Sequence, residues 1–598
     1  MTLPRELGTS SVSLDILDQA LTNVICRTRG VWMRTERGVD VYLFEIPTRR
    51  LPVGLYFLRF SLFTAFGRVF AQHSCGELSF TEHTPFEGLA QLTVCEFTHP
   101  KPEQLYGGII YHVFVDRFAR GGRYKTKPCT LRVPGRWEHI PEFPEYPGAP
   151  LKNNTFYGGD LKGVKRKLDY IASLGVNTIY LSPIFESVSN HKYDTADYMR
   201  VDSMFGGERA LRELISAADE RGIRIILDGV FNHTGADSIY FNRYGRYKNL
   251  GAYNSRDSEF YSWYDFQSHP DKYTCWWDIE ILPRINPDIP ECRRFFTGEG
   301  GVIRKYRDMG VYGFRLDVAD ELSDSFIAQI KDGLSADGES VLYGEVWEDA
   351  SNKIAYETRK KYYLGRELDG VMNYPLRTGL IDFIRNGRCE KLRYALTEVL
   401  QNAPDRVLHA QMNLLGTHDT ERILTVLGGD SSDGRSNAEL RDIRMSREQR
   451  DLARARLKMA YTALATLPGI PAVFYGDEAG LEGYHDPFNR MPYPWGREDE
   501  ELLSHYRLIG SIRTGSDVYK KGSFELLMLD RDVLIFSRKE KREVYLTVIN
   551  RGAEKLSLSF DGCFEGLVSS RRGRVHSVEP LTAEIFRGKR NAKIEIEK

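Results

Sequence analysis

The chain has 598 residues, more than one hydrophobic core normally serves, so several domains are expected. Hydrophobic residues make up 41% and charged residues 28%, the balance of a folded globular protein and not of a disordered one. A net charge of −1 removes the bulk electrostatic case for nucleic acid or an anionic membrane as partner, and no apolar run approaches a membrane span.

The first segment, "MTLPRELGTSSVSLDILDQ", has acids where a secretory leader needs an apolar core, which points to the cytoplasm. Eight cysteines (Cys26, Cys75, Cys95, Cys129, Cys275, Cys292, Cys389 and Cys563) are scattered without a C-x-x-C pair. Reduced thiols are expected there, and neither a zinc site nor a disulfide framework. Residues 1–102 then read as β-rich. "VDVYLFEIP", "GLYFLRFSLF" and "LAQLTVCEF" are β-branched and aromatic runs separated by turn residues, the pattern of a β-sandwich.

From 103 to 510 the pattern changes to short apolar strands alternating with helical stretches. Eight strand runs can be counted: 108–118, 176–183, 224–233, 313–318, 340–347, 368–375, 410–419 and 469–477. Helical segments such as "GVKRKLDYIASLG" and "GERALRELISAADERG" lie between them and close on glycine. Eight such units in series predict an α/β fold, a (β/α)8 TIM barrel. The gap between the third and fourth strands is too long for one helix, so an inserted subdomain is expected at about 234–300. After 511 strands return without long helices ("FELLMLD", "VLIFSRK", "EVYLTVIN", "KIEIEK"), a second β-sandwich over 511–598.

Barrel enzymes of this type work at the C-terminal ends of their strands. Polar residues gather there. Asp228, Asn232 and His233 follow the third strand, Arg315 and Asp317 end the fourth, Glu345 the fifth, and His418 and Asp419 the seventh. In "GFRLDV" the period of two sends Phe314 and Leu316 one way and Arg315 and Asp317 the other. A structural ion pair would produce the same local pattern. Taken with the other strand ends, Arg315 is expected to lower the pKa of Asp317 and keep it ionised as a nucleophile. Glu345, beside Val346 and Trp347, is expected to hold its proton as an acid. Such a pair, roughly 5–5.5 Å apart, cleaves glycosidic bonds with retention. Asp419 is a third carboxylate for binding the hydroxyls of a distorted sugar.

These motifs resemble those of the α-amylase superfamily, glycoside hydrolase family 13. "DGVFNH" (228–233), "GFRLDVADE" (313–321), "GEVW" (344–347) and "NLLGTHD" (413–419) match its four signatures in order. The resemblance implies Asp317 as nucleophile, Glu345 as acid/base and Asp419 as transition-state stabiliser. It implies Arg315, His233 and His418 as lining of the −1 sugar subsite, with Asp228 and Asn232 mainly architectural. "NHKYDTADY" (190–198) and "LPRIN" (282–286) are similar to segments of the neopullulanase, cyclomaltodextrinase and maltogenic amylase subgroup. By that likeness Tyr193 stacks on the −1 ring, held by His191 and Asp194. Asp486 and Arg490, in "HDPFNRMPYPW", would grip a sugar further into the donor side, a loop ion pair being the plain alternative. "CWWD" (275–278) is either a stacking platform for glucan or core of the insert.

Many relatives carry Asn and Asp just after the first strand, which bind calcium together with a later "GGD" element. Here that region reads "RFARGGRYKTKPC" (117–129), and lysines repel a cation that needs several hard oxygens. No cofactor is expected to be required, with Asn153, Asn154 and Asp160 as the remaining calcium candidates. The expected activity is retaining hydrolysis of α-1,4 and also α-1,6 bonds in maltodextrins, cyclodextrins or pullulan. The alternatives are a 4-α-glucanotransferase using the same intermediate, and a non-catalytic carbohydrate-binding homologue. The N-terminal domain is expected to bind glucan or to form a homodimer.

Overall fold

Eight short parallel strands carry the centre of the molecule: β1 (Ile110–Val113), β2 (Thr178–Leu181), β3 (Arg224–Gly229), β4 (Gly313–Leu316), β5 (Val341–Gly344), β6 (Gly370–Val371), β7 (Met412–Leu414) and β8 (Ile470–Phe474). The computed structural model describes residues 1–598 except 75–76, 123–125, 135, 147–148, 150, 590–593 and 598, so Cys75 and part of the 117–129 segment lie outside the described residues. Strands β1 to β6 pair in chain order, β8 pairs with β1, and β7 pairs with β8. A bridge between Met372 and Met412 joins the end of β6 to β7 and closes the ring. The fold is a (β/α)8 barrel.

Strand alternation builds two cores at once. Ile110, Tyr180, Ile226, Tyr343, Met412 and Ile470 fill the inside of the barrel. Ile179, Leu227, Phe314 and Leu316 point outward and pack under the helices. Phe314 is completely buried, and truncating it to alanine should cost about 3–5 kcal/mol.

Several strands are shorter than their apolar runs. The first stops at Val113, and Val115–Phe118 forms a helical turn instead. Buried Asp116 accounts for the break. It accepts the backbone N–H groups of Tyr157 (3.0 Å) and Gly158 (2.9 Å) and pairs with Arg117. The sixth shrinks to Gly370–Val371 because Asn373 accepts the N–H of Leu376 and starts a helix, Tyr374–Asn386, with Pro375 in its first turn. In "YGGD" a Cβ on Gly159 would lie 2.1 Å from the carbonyl oxygen of Val115, so only glycine allows this segment so close to the β1 turn.

Between β3 and β4 the chain makes a small hairpin (Phe266–Ser268 with Lys272–Tyr273) before the helices Pro290–Thr297 and Val302–Asp308. Aromatic rings hold this excursion together; Trp263 stacks on Tyr240 at 5.5 Å and packs against Phe295 at 5.1 Å.

Antiparallel sheets flank the barrel. On the N-terminal side a six-stranded and a three-stranded sheet enclose Leu3, Val12, Tyr42, Leu62 and Ala71. Seven strands form the C-terminal sheet, which folds over Ile535, Leu546, Leu558 and Phe586. The fold-over falls at a register shift between Ser559 and Phe564. Buried Arg538 ties this sheet to the barrel by donating to the carbonyl of Thr466 at 3.1 Å. Among the described residues no helix is long and apolar enough to cross a membrane, and the seven described cysteines are free.

Candidate active site

The alternation of β4 places Arg315 inside the barrel, fully buried. A buried guanidinium needs anions around it. Its Nη1 lies 2.8 Å from Asp228 Oδ1 at the end of β3 and 2.8 Å from Asp317 Oδ1 just past β4. Its Nη2 lies 3.0 Å from Glu345 Oε2 at the end of β5. Three carboxylates from three adjacent strand ends thus share one cation. The backbone N–H of Val318 donates to Glu345 Oε2 at 2.9 Å. Val318 is a β-branched residue in the left-handed region (φ 41°), a strained conformation placed directly after Asp317.

One guanidinium cannot balance three acids. Burial pushes the Asp317 carboxyl well above the usual carboxylate range, Arg315 opposes this, and Glu345 and Asp228 add to it. Arg315 does lower the Asp317 pKa, as expected, but the net shift is upward. The cation is divided among three partners, and burial outweighs its share. Across the mouth Asp419 behaves in the opposite way. Burial would raise it, but His418 (3.0 Å), Arg490 (3.4 Å) and Arg315 together hold it well below the carboxylate range.

The remaining residues form one connected network. Tyr193 donates its hydroxyl to Asp228 Oδ2 at 2.9 Å, and its ring stacks on His418 at 5.2 Å and 11°. His233 Nε2 donates to the carbonyl of Tyr193 at 3.1 Å, and Asn232 Nδ2 lies 3.3 Å from His233 Nδ1. Burial pulls His233 down to about 4, so it is neutral near pH 7. Asp194 accepts from the hydroxyls of Ser187 and Ser189, and His191 Nδ1 accepts the Tyr193 N–H at 3.1 Å; together they fix the Tyr193 loop. Arg490 pairs with Asp486 at 3.1 Å and donates to the His418 carbonyl at 2.9 Å. Asp317, Glu345, Asp419, Tyr193, His233, Arg315, His418, Asp486 and Arg490 therefore meet at one rim of the barrel.

Other residues join them without having stood out in the sequence. Tyr180 on β2 donates to Asp228, and Met372 Sδ faces Arg315 Nε at 3.4 Å. His112 on β1 meets His418 edge to face at 5.4 Å. Burial, reinforced by His418, pulls His112 well below the ordinary histidine value. His112 and Tyr180 take inward positions, so a strict period-two reading of β1 and β2 would have found them. On the far side Trp347 donates to Glu345 Oε1 at 3.2 Å and stacks on Tyr374 at 3.8 Å. Trp276 stacks on His233 at 5.6 Å, leaving its neighbour Trp277 exposed.

Asn153, Asn154 and Asp160 lie apart from this rim. Asp160 caps the helix Leu161–Arg166 by accepting the N–H of Gly163 at 2.6 Å, and Gly121 and Gly122 also donate to it. Asn154 donates its amide to the Cys129 carbonyl at 2.6 Å, and the Asn153 carbonyl accepts the N–H of Asn190 at 2.6 Å. Nearby, Lys127 and Lys192 both pair with Asp202, and Lys127 also with Glu186. Asp160 and the Asn153 carbonyl thus already accept N–H groups, and Asp202 and Glu186 are paired with ammonium groups. Among the described residues no cluster of three or more His, Cys, Asp or Glu could hold a metal.

The α-amylase catalytic-domain family matches residues 112–508, which span the barrel and this site. The chain belongs to the α-amylase family, glycoside hydrolase family 13. This family member is 35% identical over 540 residues to the amylopullulanase of Thermoanaerobacter thermohydrosulfuricus, an alignment covering 80% of this chain and 35% of that protein. It thus spans about a third of that relative's length. It is 31% identical over 468 residues to the cyclomaltodextrinase of Thermoanaerobacter pseudethanolicus, covering 76% of this chain and 72% of that one. A solved cyclomaltodextrinase shares the fold, flanking domains included, with a TM-score of 0.70 over 98% of this chain and 95% of that one, at 24% identity.

Proposed function

We propose that this chain is a retaining α-glucan hydrolase, cleaving α-1,4 and also α-1,6 bonds in maltodextrins, cyclodextrins or pullulan. The observation that carries the reading is the pairing of Asp317 and Glu345 with two nitrogens of the same Arg315 guanidinium. Carboxylates held on one planar fork are close neighbours. That favours the short separation of about 5–5.5 Å used for retention over the wider gap that admits a water.

In this reading Asp317 attacks the anomeric carbon while the bond to the leaving oxygen breaks, and Glu345 gives that oxygen its proton. The glycosyl ester on Asp317 is then opened by water, whose proton returns to Glu345. Asp419, held ionised, accepts hydroxyl hydrogen bonds from the distorted −1 sugar, Tyr193 stacks on it, and His233, His418 and Arg315 line it. Asp486 and Arg490 hold the next sugar on the donor side. Names of relatives, cyclomaltodextrinase and amylopullulanase, support this substrate class.

Purified protein incubated with β-cyclodextrin, pullulan and soluble starch tests the reading, with the anomer of the first product followed by proton NMR. An α-anomer is expected; a β-anomer, or no cleavage of any of the three, overturns it. Exposed Trp277 and half-exposed Trp347 beside the acid also favour a sugar as acceptor, a 4-α-glucanotransferase activity. Products longer than maltotriose, formed from maltotriose, would identify transfer.

No metal enters this mechanism, and the chemistry around Asp160 supports a calcium-independent enzyme. The seven described cysteines, all free, support a reducing, cytoplasmic setting. In the N-terminal domain the edge strand Val31–Glu36 is exposed along its whole length, with Val31, Trp32 and Met33 facing water. An unprotected apolar edge supports a homodimer formed by antiparallel pairing of two such strands. Light scattering should then give twice the chain mass.

A further inference from the structure

Past Glu345 the chain folds back in a small hairpin, Ile354–Ala355 with Thr358–Arg359. Its tip is Tyr356 and Glu357, both left-handed (φ 49° and 63°). Asparagine and glycine take this conformation cheaply, whereas tyrosine and glutamate meet a steric penalty there. A plain connecting turn would gain nothing from a tyrosine at such a place. Yet the residue is 66% exposed, with its hydroxyl tied to Glu321. Glu321 lies four residues after Asp317 and pairs with Arg284, whose backbone bridges to His233. The tip therefore stands at the rim of the catalytic mouth with a free ring face.

Two sets of contacts hold it there. On the barrel side Lys353 pairs with Asp320 at 3.2 Å, Lys360 donates to the Leu322 carbonyl at 2.7 Å, and Tyr362 donates to Asp320 at 2.7 Å. On the other side the N-terminal domain braces the hairpin. Arg359 donates to the Gln19 carbonyl at 3.3 Å and lies over the Phe57 ring at 5.6 Å, while Asn352 donates to Gln91 at 3.1 Å.

We propose that Tyr356 stacks on glucose units beyond the cleaved bond, and that the N-terminal domain, through Arg359, positions it within the same chain. The proposal rests on the α-glucan reading above and adds to it a specificity residue and a role for the N-terminal domain in a single protomer. A ring anchored by its edge with an open face is what stacking on a pyranose needs. The hydroxyl contact to Glu321 sets the angle of the ring, and Arg359 sets the height of the hairpin.

The test is calorimetric titration of full-length Asp317→Asn protein with maltose and maltoheptaose. Tyr356→Ala in that background should weaken maltoheptaose about two- to tenfold and leave maltose unchanged. Tyr356→Trp should keep most of the affinity, because it keeps a ring. Arg359→Ala, shown to be folded by its melting curve, should shift maltoheptaose in the same direction as Tyr356→Ala, again without touching maltose. Unchanged maltoheptaose affinity in Tyr356→Ala overturns the stacking role. An effect of Tyr356→Ala without one of Arg359→Ala overturns the role of the N-terminal domain alone. Failure of the Asp317→Asn parent to bind either sugar overturns both this proposal and the α-glucan reading.

Discussion

On one side of the mouth Asp419, His418, Arg490 and Asp486 form a chain of ion pairs knitted into the β7 and β8 loops. On the other side Trp277, Trp347 and Tyr356 leave ring faces open to water, and charges stay underneath as anchors. Charged hydrogen bonds are directional, so the first side suits one sugar held in one pose. Stacking tolerates sliding and rotation, so the second suits chains of differing length and linkage. On the proposed α-glucan reading, the contrast would give the chemistry and the glycone to the first side, and the breadth of leaving groups and acceptors to the second.

Removing the acids between the two sides should have the largest effect. Glu345→Gln is expected to lower kcat by about 10²- to 10⁴-fold, and Asp317→Asn at least as much. Asp317→Asn should also raise Tm. A carboxyl whose pKa is raised by folding carries no penalty below its ordinary value and destabilises increasingly as pH climbs through the raised one. The gain in Tm should therefore be larger at about pH 7 than at about pH 4. Equal melting curves at neutral pH would show that the buried charge is not penalised.

The same carboxyl sets the acid limb of kcat/KM. Activity should begin to fall at a pH above the usual carboxylate range as Asp317 takes up its proton, and Asp419, held low, should not contribute. An acid limb at or below the ordinary carboxylate value would contradict the crowding seen around Arg315. Arg490→Ala comes next, with a loss of about 10- to 100-fold in kcat/KM and no change of product anomer, because Asp419 and Asp486 lose a charged donor. Trp277→Ala should raise KM for long glucans only about two- to tenfold with kcat retained. If Trp277→Ala proved more damaging than Arg490→Ala, the division between the two sides would be wrong. Smallest of all, EDTA should leave both activity and Tm unchanged; a fall in either would restore a metal to the account.

Much of this site was legible along the chain. "GFRLDV" and "GEVW" place Arg315, Asp317 and Glu345 at strand ends by alternation, and "NLLGTHD" places His418 and Asp419 in the loop after β7. Tyr356 was not legible, because a lone aromatic in a loop has no period to mark it. His112 and Tyr180 were hidden among apolar neighbours on β1 and β2. Asp116 was hidden too; it ends β1 through partners about 40 residues away, Tyr157 and Gly158.

By itself the sequence determined the order of strands and helices, the barrel they close and the residue types brought to its rim, since these follow from local periodicity and short-range turn chemistry. Only the tertiary structure decided how charge is shared. Arg315 and Asp228 are 87 positions apart, and Glu345 is a further strand away. Burial of Asp317, with Glu345 and Asp228 beside it, outweighs Arg315 and makes the net shift of its pKa upward. Burial and Coulomb interactions depend on distances through space, and those exist only once the barrel has closed.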